Sequence, residues 1–192
     1  MEDKKDRIIQ SAIHVFREKG IEKTKISDIV KDAGIAQGTF YLYFSSKFAV
    51  MPSIAEEMME KTLVQIKENV DENLPFSKQL ETVVDVVFAI TDEYREIFAL
   101  IYSGLAATDY LKEWEAIYEP YYWWMRDFLM QAKADGAIRE AFDIQRTAEV
   151  LIGLIESTAE QCFLYSQMDD ETIDMKKKAV LMFAEYALGL RD

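Results

Sequence analysis

The chain has 192 residues, half of them hydrophobic, with only 7 Gly and 3 Pro, so it can bury a substantial core as one domain or two small ones and leaves little for linkers or low-complexity tracts. One Cys (Cys162) and one His (His14) exclude a disulfide framework within one chain and a cysteine-rich zinc site, and give a Cys–His nucleophile pair no support. The net charge of −13 argues at first sight against nucleic acid, yet residues 1–50 carry nine Lys/Arg against seven Asp/Glu, while the remainder carries a balance of −15.

A polyanion is therefore tolerated at the N-terminal end and repelled elsewhere. No run of about 18 apolar residues suggests a membrane span. The N-terminus MEDKKDRIIQSAIHVF mixes charges with apolar residues at helical spacing, unlike a signal peptide, so a cytoplasmic location is expected. A Ser–His–Asp arrangement would have to use His14, and no nucleophile elbow or glycine-rich phosphate loop is present. Carboxylates are plentiful, but no motif organises them for acid–base or metal chemistry. No catalytic residue, metal ligand or cofactor is assigned.

Nearly every segment reads as helix. Ile9, Ala12, Ile13 and Phe16 form one apolar face, and Gly20 offers a stop. Ile26, Ile29, Val30 and Ala33 form a second, shorter face ended by Gly34. A short third helix spans about 37–44, after which Ser46 is a candidate N-cap for a long helix of about 47–70. Further helices are expected at 76–93, 94–106, 109–134, 144–166 (capped by Asp143) and 172–188. The apolar run Val83–Ile90 reads as buried helix rather than strand. The fold class is all-α, about nine helices, with an N-terminal three-helix unit of residues 1–46 and a larger helical domain of 47–192.

Two helices joined by the turn Gly34-Ile35-Ala36 make a helix-turn-helix over about residues 25–44. At roughly 100° per residue, Phe40 and Phe44 stack on one side of the second helix. Leu42, Gly38 and Thr39 point away, and Tyr41 and Tyr43 flank the packed side with apolar bodies and polar tips. Periodicity alone is equally served by a packed helical hairpin of no special function.

The stretch from Thr24 to Lys47, TKISDIVKDAGIAQGTFYLYFSSK, resembles the DNA-binding signature of the tetracycline-repressor (TetR) family of bacterial transcription regulators. The pattern Ile-x3-Ala-Gly-Ile-x2-Gly-x2-Tyr-x-Tyr-Phe-x2-Lys, Ile29 to Lys47, carries it, and it follows one N-terminal helix as in that family. The resemblance covers about residues 4–60 and is loose beyond. It implies that Gln37, Gly38, Thr39 and Leu42 approach base edges or the adjacent backbone, with Ser27, Tyr41, Tyr43 and Lys47 on phosphates. Gln suits adenine, Leu suits a thymine methyl, and glycine permits close approach. Ala36 stands where the family often has a serine N-cap, and Val30 where it often has alanine. The expected partner is double-stranded DNA, bound by a homodimer on a near-palindrome with recognition helices about 34 Å apart.

Residues 114–128, WEAIYEPYYWWMRDF, place Trp114, Tyr118, Tyr121, Tyr122, Met125 and Phe128 on one broad face, with Pro120 inviting a kink. The face is either aromatic core or the wall of a small-molecule cavity, as the resemblance implies; Met58, Met59, Tyr102, Gln161 and Tyr165 are further wall candidates. The 150–155 run VLIGLI is apolar nearly all round, so its helix must be buried on two sides, and Gly153 would permit close helix approach. Leu151, Ile152, Ile155, Val180, Phe183, Tyr186 and Ala187 are therefore expected at a two-fold four-helix interface. Pro52, about one turn inside the fourth helix, suggests a bend through which a ligand could change the spacing of recognition helices. His14 is expected as a partly exposed helix residue, Cys162 as a small core or interface residue, and Lys176–Lys178 as a solvated face.

The leading expectation is a ligand-responsive repressor released from DNA by a small apolar or aromatic effector. The competing expectation is a helical small-molecule-binding or catalytic protein whose helix-turn-helix is only scaffold.

Overall fold

The computed structural model describes residues 3–106, 114–139, 143–165 and 168–190. Among these are nine α-helices: α1 (Lys4–Lys19), α2 (Ile26–Asp32), α3 (Gln37–Tyr43), α4 (Met51–Asn69), α5 (Phe76–Glu93), α6 (Arg95–Ala106), α7 (Trp114–Ala134), α8 (Ile144–Phe163) and α9 (Asp170–Leu188). The all-α expectation holds, and the Val83–Ile90 run lies inside α5. The chain forms two compact units that interleave in sequence. One comprises residues 1–58 and 96–117, the other 59–95 and 118–192.

In the first unit, α1 buries Ile8, Ile9, Ala12, Ile13, Val15 and Phe16, α2 buries Ile29 and Val30, and α3 buries Phe40. Each fully buried side chain of this size contributes roughly 2 kcal/mol, which is how helices as short as α2 and α3 persist when isolated peptides of that length would not. Asp3 caps α1 through the Lys5 N–H, and Gly20 ends it at φ 74°. The Gly20 N–H still reaches the Phe16 carbonyl at 2.9 Å.

The start of α4 departs from expectation. Ser46 does not cap it. The Ser46 hydroxyl accepts instead from the Ala49 N–H at 3.2 Å, closing a 3-10 turn over Phe48–Val50 that precedes Met51. Pro52 is thus the second residue of α4, where its missing N–H would have had no intrahelical partner. The basis for a proline bend inside this helix disappears. Likewise α7 continues through Pro120.

In the second unit α5, α8 and α9 pack on one another. Asp143 caps α8 through the Arg146 N–H and Asp169 caps α9 through the Thr172 N–H, and α9 closes on Gly189 in the left-handed conformation. Leu80, Val83, Val84 and Phe88 of α5 meet this core together with Leu151, Ile152 and Ile155 of α8 and Val180, Ala184 and Leu188 of α9, all buried. Leu151, Ile152, Ile155 and Val180, expected at a subunit interface, are therefore spent inside the chain. Cys162 is a core residue. Lys177 reaches Asp85 at 2.7 Å and Lys176 reaches Gln161 at 2.9 Å, so only Lys178 of that trio is the solvated side chain expected.

Candidate nucleic-acid interface and interior site

The α2–α3 unit is built from the inside outward. Phe40 and Phe44 are buried, 5.7 Å apart between ring centres, as the wheel requires. The turn between the helices is fixed from α1: the Arg7 guanidinium donates to the Ala33 carbonyl. Gly34 adopts φ 64° beside that guanidinium. The carboxylate of Asp28 accepts from the Lys25 N–H at 2.9 Å and pairs with Lys19 at 3.0 Å, which holds its acid below the usual range. His14 is exposed and meets Asp32 at 3.0 Å, tying α1 to α2. No side chain caps α3, as the alanine at position 36 foretells.

This packing leaves one surface turned outward, where Tyr41 touches the buried Phe40 only edge-on, 5.7 Å between ring centres. Leu42 is 82% exposed, Tyr41 52% and Tyr43 41%. Gln37 and Gly38 are exposed, Thr39 is half-buried, and Ser27 stands exposed in the first turn of α2. A Cβ added at Gly38 would meet nothing within 4 Å, and no unusual φ calls for glycine there. Glycine inside a helix costs about 1 kcal/mol relative to alanine. Neither packing nor backbone conformation accounts for that cost, and the bare backbone faces outward beside an exposed leucine.

Lys47 is placed differently from expectation. Its Nζ donates to the carbonyls of Ile21 (2.7 Å), Glu22 (3.2 Å) and Thr24 (2.9 Å). An ammonium has three N–H bonds, and all three are used on the α1–α2 loop. Lys47 therefore positions the helix-turn-helix, and a role as a free phosphate clamp has no donor left to serve it. Thr24, itself buried, completes the knot by donating its hydroxyl to the Gly20 carbonyl at 2.8 Å. The exposed cations close by in sequence are Lys23, Lys25 and Lys31. Arg7 and the inward role of Lys47 escaped sequence reasoning; both depend on carbonyls brought close only by folding.

The expected pocket residues scatter. Met58, Met59, Tyr118, Tyr121 and Met125 are buried, and Tyr102, Tyr122 and Phe128 are half-buried. Met58 and Tyr102 belong to the first unit and the others to the second. Tyr165 is 69% exposed, and Gln161 is exposed with its amide oxygen held by Lys176, so neither is a wall residue in this chain. The Trp114 side chain lies outside the described residues. A cleft of about 1500 Å³ in the second unit is lined by Phe76, Trp124, Phe128, Arg139 and Tyr186 among others, and takes only Phe128 from the expected wall. Trp124 and Phe128 stack there at 5.1 Å.

Beside the buried part of α7 sits a polar group that sequence spacing does not reveal. The Tyr118 hydroxyl donates to Glu156 Oε2 of α8 at 2.9 Å, while the fully buried Tyr121 hydroxyl has no hydrogen-bond partner among the described residues. Burial pushes the Glu156 carboxyl up to about 8, the tyrosine hydrogen bond opposes this, and Glu160 one turn on adds to it. Burial and the Glu156 charge together raise the Tyr121 phenol.

Within the exposed apolar surface of the second unit, α9 carries a stripe. Met175, Met182, Phe183 and Tyr186 of α9 are 58%, 58%, 62% and 81% exposed, and Val150 of α8 is 69% exposed. Ala187 is exposed as well. Gly153 is exposed, and nothing lies within 4 Å of a Cβ built on it, so it serves no close helix approach within the chain. Among the described residues no helix is long and apolar enough to cross a membrane, and no cluster of metal-ligating side chains occurs.

Residues 8–54 match the family model described as bacterial regulatory proteins, tetR family, and residues 80–188 match the tetracyclin repressor-like C-terminal domain. The chain is 42% identical over 186 residues to the uncharacterized HTH-type transcriptional regulator YvdT of Bacillus subtilis, covering 97% of this chain and 95% of that protein. It is 25% identical over 166 residues to the fatty acid metabolism regulator protein of the same organism, covering 85% and 86%. The fatty acid degradation regulator FadR of Bacillus halodurans shares the fold at TM-score 0.75 and 24% identity, covering 100% of this chain and 99% of that one. FadR of Bacillus subtilis, solved with stearoyl-CoA, does so at 0.73 and 24%, covering 93% and 96%.

Proposed function

Because the chain belongs to the tetR family of bacterial transcription regulators, we propose that it is an effector-responsive repressor that reads a near-palindromic operator as a homodimer. The regulator assignment removes the catalytic alternative, since the relatives are transcription regulators. The observation that carries the DNA reading is the outward face of α3: exposed Gln37, Gly38 and Leu42 with no internal task. Gln37 and Leu42 supply base-edge and thymine-methyl contacts, Gly38 permits close backbone approach, and Ser27, Thr39, Tyr41 and Tyr43 supply the surrounding sugar–phosphate contacts. Lys23, Lys25 and Lys31 replace Lys47 as the source of counterion release.

The dimer reading rests on the α9 stripe of Met175, Met182, Phe183 and Tyr186 with Val150 and Gly153 of α8. Two copies brought together on this stripe would bury it around a two-fold axis, with Gly153 admitting the partner closely. The response to a small molecule is supported by relatives of this fold solved with acyl-CoA thioesters. The test is fluorescence anisotropy with duplex DNA from upstream of the gene, at several salt concentrations. Sequence-selective binding whose affinity falls steeply with salt is expected. Equal, salt-insensitive signals on all duplexes would refute the reading.

A further inference from the structure

We propose that the buried Tyr118 and Tyr121 with the half-buried Glu156 form an anchor for a lipophilic cation, and that the effector of this chain is an aromatic or alkyl ammonium-type molecule rather than an anionic thioester. The inference rests on the effector-responsive reading above and names the chemistry of the ligand.

A half-buried carboxylate is stabilised by a cation or by several hydrogen bonds. Among the described residues Glu156 accepts one side-chain hydrogen bond, from Tyr118, and no cationic side chain pairs with it. Tyr118 of α7, by its hydrogen bond, and Glu160 of the same helix as Glu156, by its charge, act on Glu156, and Glu156 in turn acts on Tyr121. From the other helices packed on α8, Asp85 of α5 and Lys177 of α9 are bound to each other at 2.7 Å. Without a cationic partner among the described residues Glu156 holds its proton at neutral pH, and an incoming cation would take the place of that proton.

The Tyr121 hydroxyl is an independent sign. It is fully buried and unsatisfied among the described residues, a condition that costs about 1–3 kcal/mol and that an incoming polar group would relieve. The rings of the same helix supply the rest of a cation site. Tyr118 and Tyr122 lie 5.7 Å apart between centres, and Tyr121 and Trp124 6.4 Å apart. Aromatic faces beside a carboxylate attract delocalised or alkylated ammonium groups and offer nothing to a phosphate or a thioester's carboxyl-derived end. The balance of −15 after residue 50 draws cations toward this part of the chain and repels anions. A cation entering beside Glu156 ionises it, so the proton leaves to solvent as the ligand arrives.

The experiment is calorimetric titration of the full-length protein, without DNA, with tetraphenylphosphonium, ethidium and dodecyltrimethylammonium, and with lauroyl-CoA as the anionic comparison. Buffers of two ionisation enthalpies read the proton balance. At least one cation should bind at micromolar concentration with release of about 0.9 proton at pH 7, as follows for a group near 8. Glu156→Gln should weaken that binding at least tenfold and abolish the proton release, while operator affinity without ligand stays unchanged. Because the proton count is read on the unsubstituted chain, it decides the matter even where Glu156→Gln fails to fold. Binding of lauroyl-CoA with no cation bound, cation binding without proton release, or equal cation affinity in a folded Glu156→Gln variant would each overturn the proposal. Failure of DNA binding, by contrast, leaves these titrations intact and strikes only the regulator reading.

Discussion

Replacing Lys47 by methionine keeps the apolar stem and removes the ammonium, which isolates what the charge does. The structure gives that ammonium three acceptors at 2.7, 2.9 and 3.2 Å, all carbonyls of the α1–α2 connection. A hydrogen bond to a charged group contributes about 1.5–3 kcal/mol when buried. Here Lys47 is half-buried and the longest contact is exposed, so the sum is discounted to roughly 2–4 kcal/mol. Lys47→Met should lower the melting temperature by several degrees and speed hydrogen exchange in the segment around Ile21–Lys25. Operator affinity should drop because the reading head is less ordered, yet the slope of log K against log salt should not move. Lys47→Arg should rescue only part of the loss, since a planar fork cannot reach three carbonyls as a tetrahedral ammonium does. A salt slope reduced by about 0.9 with an unchanged melting temperature would show Lys47 on a phosphate and refute the reasoning.

Three further outcomes are expected. Gly38→Ala should stabilise the chain by up to about 1 kcal/mol in thermal melting, because the added methyl meets nothing, while weakening operator binding at least tenfold through lost backbone approach. Phe183→Glu should shift the chain toward a 22.3 kDa species in sedimentation at micromolar concentration, without loss of helical circular dichroism, because Phe183 is exposed in the single chain. Glu156 has its folded-state pKa raised from 4.5 to about 8, so its contribution to stability is fully present below about 4.5 and lost as pH rises toward 8. Glu156→Gln should flatten that fall, which runs at up to about 1.4 kcal/mol per pH unit in wild-type denaturant titrations.

What the sequence makes legible follows from range. The helices and the split of α3 into a packed Phe40–Phe44 side and an outward Gln37–Gly38–Leu42 side depend on neighbours three or four residues away, and periodicity reads them. The partners of Lys47 lie more than twenty residues back and are backbone atoms, which no side-chain pattern reports. The Tyr118–Glu156 pair spans 38 residues and joins two helices. A helix apolar all round, like the one holding 150–155, shows that two sides are covered but not by what; folding takes Leu151, Ile152 and Ile155 inward and leaves Val150 and Gly153 outside. The seryl cap expected for α4 failed for a local reason: Ser46 closes a 3-10 turn first.

The central claim is that the bare face of α3 reads DNA. Anisotropy titration of wild type, Gln37→Ala and Leu42→Ala against one operator and a set of single-base variants tests it most directly. The account predicts tight, salt-dependent binding by the wild type, with each substitution relaxing discrimination at a small number of operator positions by about 1–3 kcal/mol while leaving the salt slope unchanged. Identical base preferences in all three proteins would contradict it.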